Sequence, residues 1–214
     1  EILTDPSYAG QIVTMTYPMI GNYGMNRDDL EGERSHVAGF VVKEYIDFPS
    51  NFRSQETLGA WLKSQKVIAV QGIDTRMLTK IIRDSGAMRG IISTIDLEDQ
   101  SLVAKARKTP AMTGLDLTGL VSTREAYGWS DIDKTPFALE PTCEPSRQWK
   151  VVVYDFGVKR NILRRLRRYG CELTVVPSNF PAASVLALHP DGIFLSNGPG
   201  DPAAVQYAVQ AIKT

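Results

Sequence analysis

The chain has 214 residues, 43% of them hydrophobic, with 24 Lys and Arg against 24 Asp and Glu and a formal net charge of zero. That length suffices for one large or two small domains with a real core, and the balanced charge argues against a nucleic-acid or membrane-surface role for the chain as a whole. No apolar run approaches the roughly 20 residues that span a bilayer, and the two cysteines, Cys143 and Cys171, form neither a disulfide framework nor a metal pattern, which fits a reducing, cytoplasmic compartment.

In chain order, Thr4-Asp5-Pro6-Ser7-Tyr8 has the composition of a turn. Residues 11–16 and 37–43 read as β-branched strands, separated by a polar, Gly- and Asp-rich loop over 21–34. Residues 57–65 have helical spacing, with Leu58, Trp61 and Leu62 on one face. A short strand is expected at 67–70. Residues 74–85 make the clearest helix: Asp74 caps it, Met77, Leu78, Ile81 and Ile82 form an apolar stripe, and Gly86 ends it. A further strand is expected over 88–94, then a helix over 96–108 that stops before Pro110.

From 129 to 148 the periodicity fades and Pro136, Pro141 and Pro145 appear, which reads as a linker between domains 1–128 and 149–214. Beyond it the rhythm changes to strand 150–155, helix 159–169 closed by Gly170, strand 172–176, helix 182–188, strand 192–195 and a helix from Ala203 onward. Such βαβαβα alternation predicts a parallel sheet with helices on its faces, an α/β fold.

The strongest chemical signal is the loop Ser196-Asn197-Gly198-Pro199-Gly200-Asp201-Pro202, which joins a short apolar strand to a helix-like tail. Two glycines around a proline at a strand's carboxyl end let backbone approach a ligand, and N–H groups there can hold an anion or a developing oxyanion. The competing reading is a plain turn in which Asp201 only caps the next helix. Tyr154-Asp155-Phe156-Gly157-Val158-Lys159 has the same strand-to-helix form. Asp155 or Lys159 could face a ligand, but one glycine needed for a tight turn beside a solvated Lys-Arg pair is the favoured reading. The basic run Arg164-Arg165 and Arg167-Arg168 reads as the solvated face of an amphipathic helix. Ser7 has no paired base nearby in sequence. His36 and His189 fall in different expected domains, which speaks against a metal pair. Cys171, at the start of a strand, reads as a small filler rather than an activated thiol.

With these residues in view, the chain resembles the small, glutamine-hydrolysing subunit of carbamoyl-phosphate synthetase, a class I glutamine amidotransferase. The resemblance rests on Glu1 to Tyr8, on Gln11-Ile12-Val13-Thr14 with Tyr17-Pro18 and Ile20-Gly21-Asn22, and on Gly72-Ile73-Asp74-Thr75-Arg76 with Leu78-Thr79. It continues in Tyr154-Asp155-Phe156-Gly157 with Lys159-Arg160-Asn161-Ile162, and ends in Phe194 to Pro202. These blocks run in order over essentially the whole chain.

The resemblance implies a mixed α/β small-subunit domain followed by the first half of a flavodoxin-like, parallel-sheet amidotransferase domain. It also implies release of ammonia from L-glutamine to a large synthetase subunit, or a fused synthetase domain, which uses bicarbonate and ATP with Mg to make carbamoyl phosphate. No cofactor is implied for this chain itself. The pair is expected as a heterodimer or a higher oligomer, serving arginine and pyrimidine synthesis, without nucleic acid or membrane. Three site residues carry over: Ser7 and Gly200 as contacts of bound L-glutamine, and Gly198 as both a contact and the oxyanion donor. The family's nucleophilic cysteine, on a Gly-x-Cys-x-Gly elbow, and its histidine and glutamate are expected beyond Thr214. About forty residues are expected before Glu1, so the chain is read as a portion of a longer protein and as inactive alone. The alternatives are a nucleophile-less scaffold or docking module of an ammonia-dependent synthetase, and a simple binding module on a flavodoxin-like fold.

Overall fold

The computed structural model describes residues 1–132 and 147–214. Residues 133–146 of the expected linker, Cys143 among them, lie outside the described residues. The chain has a mixed α/β fold and divides into two compact units. The first comprises Gly10–Leu30 and Arg34–Thr113; the second comprises Glu1–Ala9, Glu31–Glu33 and Gly114–Thr214. The units therefore part company with the sequence-based division at 128. The first nine residues and the segment from 114 onward pack with the amidotransferase-like part.

The first unit carries β1 (Ile12–Thr14), β2 (Met19–Ile20), β3 (Gly39–Val41), β4 (Glu44–Tyr45), α1 (Leu58–Ser64), β5 (Ala69–Val70), α2 (Thr75–Ser85) and α3 (Asp99–Lys108). Strands β1, β3 and β5 form a parallel sheet with β3 at its centre, and β2 and β4 form a separate parallel pair. The central position explains why all of β3 is buried, a continuous apolar run rather than an alternating one. Helix α1 is capped by Thr57, whose hydroxyl accepts from the Ala60 N–H at 3.2 Å, and it buries Leu58, Trp61 and Leu62 as expected.

Helix α2 also starts where the sequence places its cap. Asp74 Oδ1 accepts from the Met77 N–H at 2.9 Å, and Gly86 takes φ +78° at the other end. The expected apolar stripe is not buried, however. Met77 and Ile81 are exposed and only Thr75 is fully buried. The expected strand over 88–94 does not form: these residues have no strand pairing among the described residues. Ile92 instead packs its side chain over Gly39, where a Cβ would sit 2.9 Å from Ile92 Cδ1. β-Branched content reports a fit to a pleated surface, not a ladder partner. Helix α3 begins three residues later than expected, because Asp96 makes a turn with the Glu98 N–H and binds Ser101 and Lys105 from outside the helix.

The second unit carries β6 (Tyr127–Trp129), β7 (Trp149–Asp155), α4 (Arg160–Arg168), β8 (Cys171–Pro177), α5 (Ala182–Leu186), β9 (Gly192–Leu195) and α6 (Gln206–Lys213). Its sheet has the order β6-β8-β7-β9. The β7 pairings with β8 and β9 are parallel, as expected; β6 adds an antiparallel edge, so Trp129 belongs to a strand rather than to the linker. Strand β7 is covered on both faces. Val153, Leu173 and Val175 pack with Val158 and Leu163 beside α4, while Val152, Tyr154 and Val176 pack with Val185 of α5. Each such side chain contributes about 1.5–3 kcal/mol on burial, and this double layer holds the carboxyl ends of β7 and β9 side by side. The tail after the loop is a short 3-10 turn, Pro202–Ala204, before α6 begins, so the helix starts later than Ala203.

The basic run on α4 is not a solvated face. Arg164 pairs with Asp131 at 3.1 Å and is only 14% exposed, Arg167 Nη1 donates to the Cys171 carbonyl at 3.1 Å, and only Arg165 is classed as exposed among the four. No helix among the described residues is long and apolar enough to cross a membrane.

Candidate functional site

The site grows out of the place where the β7–β9 ladder ends. The Ser196 N–H still reaches the Tyr154 carbonyl at 3.2 Å, one residue past β9. Side chains then replace the missing backbone partners. Ser196 Oγ accepts from the Phe156 N–H at 2.9 Å and donates to the Asn197 carbonyl at 2.7 Å. Asn197 Oδ1 accepts from the Lys159 N–H at 3.3 Å, and its Nδ2 donates to the Gly157 carbonyl at 2.9 Å and to Ser7 Oγ at 2.8 Å. One amide thus joins the loop, the β7–α4 turn and the N-terminal turn.

The N-terminal turn is fixed independently. Asp5 is 3% exposed; its Oδ1 accepts from the Ser7 N–H at 2.9 Å and its Oδ2 pairs with Lys159 Nζ at 3.0 Å. That carboxylate holds the Lys159 ammonium above its ordinary pKa, chiefly by hydrogen bonding, against the lowering effect of burial. Lys159 and Arg160, which pairs with Glu33 at 2.9 Å, are consequently not a solvated pair. Glu31, 2% exposed, receives the Asn161 N–H and Nδ2, each at 2.9 Å, and its own N–H donates to Thr4 Oγ1. Asp155 does not face a ligand: it is 5% exposed, its Oδ1 accepts from the Gly157 and Val158 N–H groups and its Oδ2 from the Thr123 N–H. It is a turn-former, the favoured reading of that segment.

Both loop glycines are sterically required. A Cβ on Gly198 would lie 2.1 Å from the Phe156 carbonyl oxygen. Gly200 has φ +87°, forms an antiparallel bridge with Asp116, and its Cβ would lie 2.6 Å from the Leu115 carbonyl oxygen. Gly157, at φ +121°, is likewise closed in by Val121, Pro199 and Pro6. Gly198 is exposed, and neither the Gly198 nor the Gly200 N–H has a hydrogen-bond acceptor among the described residues. Asp201 caps the following turn through the Ala203 N–H, and its second oxygen accepts from the Gly114 N–H. These bonds, Gly114's first, hold its carboxyl below the ordinary range.

Ser7, Gly198 and Gly200, the three residues singled out from the sequence, thus fall in one unit, with Ser7 tied directly to the residue before Gly198. What sequence reasoning missed is the connector. Asn197 lies inside the loop motif, yet no local pattern marks its role, and none marks the Asp5–Lys159 pair or Glu31. Cys171 stands apart at the start of β8, where burial pushes its thiol pKa up despite the opposing effect of Arg167. That is the opposite of an activated nucleophile.

Residues 1–92 match the family model of the carbamoyl-phosphate synthase small chain, CPSase domain, and residues 152–214 match that of class-I glutamine amidotransferases. Taken together, the two matches make the chain similar to carbamoyl-phosphate synthase small chains. Curated relatives named carbamoyl phosphate synthase small chain align over the whole chain, at 55% identity in Syntrophotalea carbinolica and 49% in both Thioalkalivibrio sulfidiphilus and Vibrio cholerae. The chain spans 56–57% of the length of these small chains. The second family match begins within β7 and takes in the whole Asn197 loop.

Proposed function

We propose that this chain forms part of the glutamine site of a glutamine-hydrolysing carbamoyl-phosphate synthase small chain. In this reading L-glutamine lies against the 196–200 loop with Ser7 beside it. A cysteine thiolate of the full-length protein attacks the γ-amide carbon, and the carbonyl oxygen becomes an oxyanion. The Gly198 N–H donates to that oxyanion and the Gly200 N–H to the substrate. A donor already in place needs no reorganisation as charge develops, and such donors are worth about 3–4 kcal/mol each. Collapse of the intermediate expels ammonia and leaves a thioester, which water then hydrolyses to glutamate.

The ammonia passes to a large synthetase subunit, where ATP and bicarbonate complete carbamoyl phosphate for arginine and pyrimidine synthesis in the cytoplasm. The observation that carries the proposal is the Asn197 amide, which bonds Ser7 Oγ and the Gly157 carbonyl of the β7–α4 turn while the Gly198 and Gly200 N–H groups stay without acceptors among the described residues. The test is a full-length small chain assembled with its large subunit. Ser7→Ala raises the KM for glutamine and leaves synthesis from added ammonia unchanged. An unchanged KM would return Ser7 to a turn-forming role.

A further inference from the structure

The first unit holds a second concave surface, independent of the glutamine site. It is a cleft of about 910 Å³ where the N-terminal turn of α2 meets the ends of β1 and β3, and its walls include Lys43, Arg76, Lys80 and Arg83. Asp74 is the single carboxylate in that lining, and its Oδ1 is already engaged by the Met77 N–H. Four cations against one acid is a strong local excess in a chain whose formal net charge is zero.

The arrangement follows from the helix period. Arg76, Lys80 and Arg83 stand at i, i+4 and i+7 and so share one face of α2. Lys43 joins them from the residue after Val42, whose N–H extends the β3–β5 pairing to the Val70 carbonyl. Arg83 bridges to Asp84 at 3.2 Å; Lys43, Arg76 and Lys80 have no ion-pair partner among the described residues. Repulsion among unpaired cations is a cost that the fold does not need, since the core of this unit lies elsewhere, at Phe40, Val42, Trp61 and Leu62. The floor is open as well: a Cβ on Gly72, which has φ +86°, would meet nothing within 4 Å.

We propose that this cleft binds a small molecule carrying two or more negative charges, of the phosphate or polycarboxylate class. Like charges lining a concave wall focus the field and raise the local concentration of counter-charge. Arg76 supplies a planar fork that takes two oxygens of one anionic group. Lys43 and Lys80 supply point charges for a second group, and the Thr16 hydroxyl is a neutral polar group in the same wall. The volume lies within the several-hundred-Å³ range of small-ligand sites.

The test is a titration of the ¹⁵N-labelled 214-residue chain, at near-physiological salt, with inorganic pyrophosphate and separately with citrate. Hexaglutamate serves as an acidic-peptide comparison. Saturable shifts at Thr16, Lys43, Gly72 and Arg76 are expected with at least one of the two small anions, and which of them saturates assigns the class. Arg76→Gln weakens that binding by about tenfold or more, as loss of a charge-assisted contact requires. Lys80→Gln, at an exposed position where folding is not in question, weakens it as well. Shifts that do not saturate, that spread over all lysines alike, that survive both substitutions, or that appear only with hexaglutamate would overturn the proposal. Because α2 and the glutamine loop lie in different units, failure here leaves the glutaminase reading untouched.

Discussion

Asn197 Nδ2 donates to Ser7 Oγ at 2.8 Å across 190 residues of sequence, and the same nitrogen donates to the Gly157 carbonyl at 2.9 Å. The bond makes the position of the Ser7 hydroxyl a property of the Gly198 loop. That amide joins the N-terminal turn to the loop at the carboxyl end of β9, beside the Asp5–Lys159 pair that ties the same turn to the start of α4. Asn197→Asp removes both donors and sets a carboxylate oxygen against a carbonyl. Leaving such groups unsatisfied costs about 1–3 kcal/mol, so urea denaturation should show the chain destabilised by that amount. Glutamine KM should rise more than in Ser7→Ala. A stability and a KM equal to those of the parent would remove Asn197 from the site.

In the proposed reading Ser7→Ala removes a contact to substrate together with the Oγ acceptor of Asn197, and the backbone turn stays in place because Asp5 still accepts from the residue-7 N–H. The expected change is a KM for glutamine higher by about tenfold or less, with kcat nearly constant, the pattern of an interaction made equally in ground and transition states. A fall in kcat at constant KM would instead place Ser7 at the reacting carbonyl.

Glu31 ties the 31–33 segment to the start of α4 through Asn161 and is 2% exposed. Glu31→Ala strands the Asn161 N–H and Nδ2 and opens a cavity, so a loss of about 3 kcal/mol or more is expected in chemical denaturation. Asn161→Ala should cost less, because the Asn161 N–H keeps its bond to Glu31. Equal and small effects would mean that this contact does not hold the unit together.

Asp96 is held down from an ordinary 3.8 to about 2, first by its hydrogen bond to Lys105, then by Ser101 and the Glu98 N–H. The sign follows from the lowered folded value. The stabilisation is fully present above the unfolded pKa and is lost as the pH falls from about 4 toward 2. Asp96→Asn should flatten that part of the melting-temperature profile and leave the profile above pH 5 parallel to the parent. A steeper acid limb in the variant would contradict the assignment. The Asp96 side chain is 23% exposed and its Lys105 partner 53%, so solvent still reaches the pair and the effect should shrink in high salt.

Cys171 should react slowly. Burial raises its thiol pKa, so little thiolate is present at neutral pH. Iodoacetamide labelling of the folded chain, followed by peptide mass mapping, should leave Cys171 largely unmodified until denaturant is added. Rapid labelling in the native state would make it an activated thiol after all.

What was legible in the sequence is mostly what local rules govern. Asp74 announces its helix because capping uses residues three apart, the 57–65 helix shows in the spacing of Leu58, Trp61 and Leu62, and β7, β8 and β9 announce themselves as apolar runs between glycine and helix signals. Residues 88–94 mislead because a strand needs a partner that composition does not reveal. Tyr127–Trp129 is missed for the converse reason: three residues beside a featureless stretch become a strand only by pairing with Leu173–Val175. The α4 arginines look solvated because their partners, Asp131 and the Cys171 carbonyl, lie outside the helix. The glycines of the site could be picked out from their motif. The Asn197–Ser7 bond could not, since no local pattern links positions 190 apart.

The most direct test of the central claim is an amide titration of the full-length small chain with L-glutamine, with D-glutamine as control. The account predicts saturable, L-specific shifts at Ser7, Gly198 and Gly200 that weaken in Asn197→Asp. Shifts confined to other residues, or identical for the two enantiomers, would contradict it.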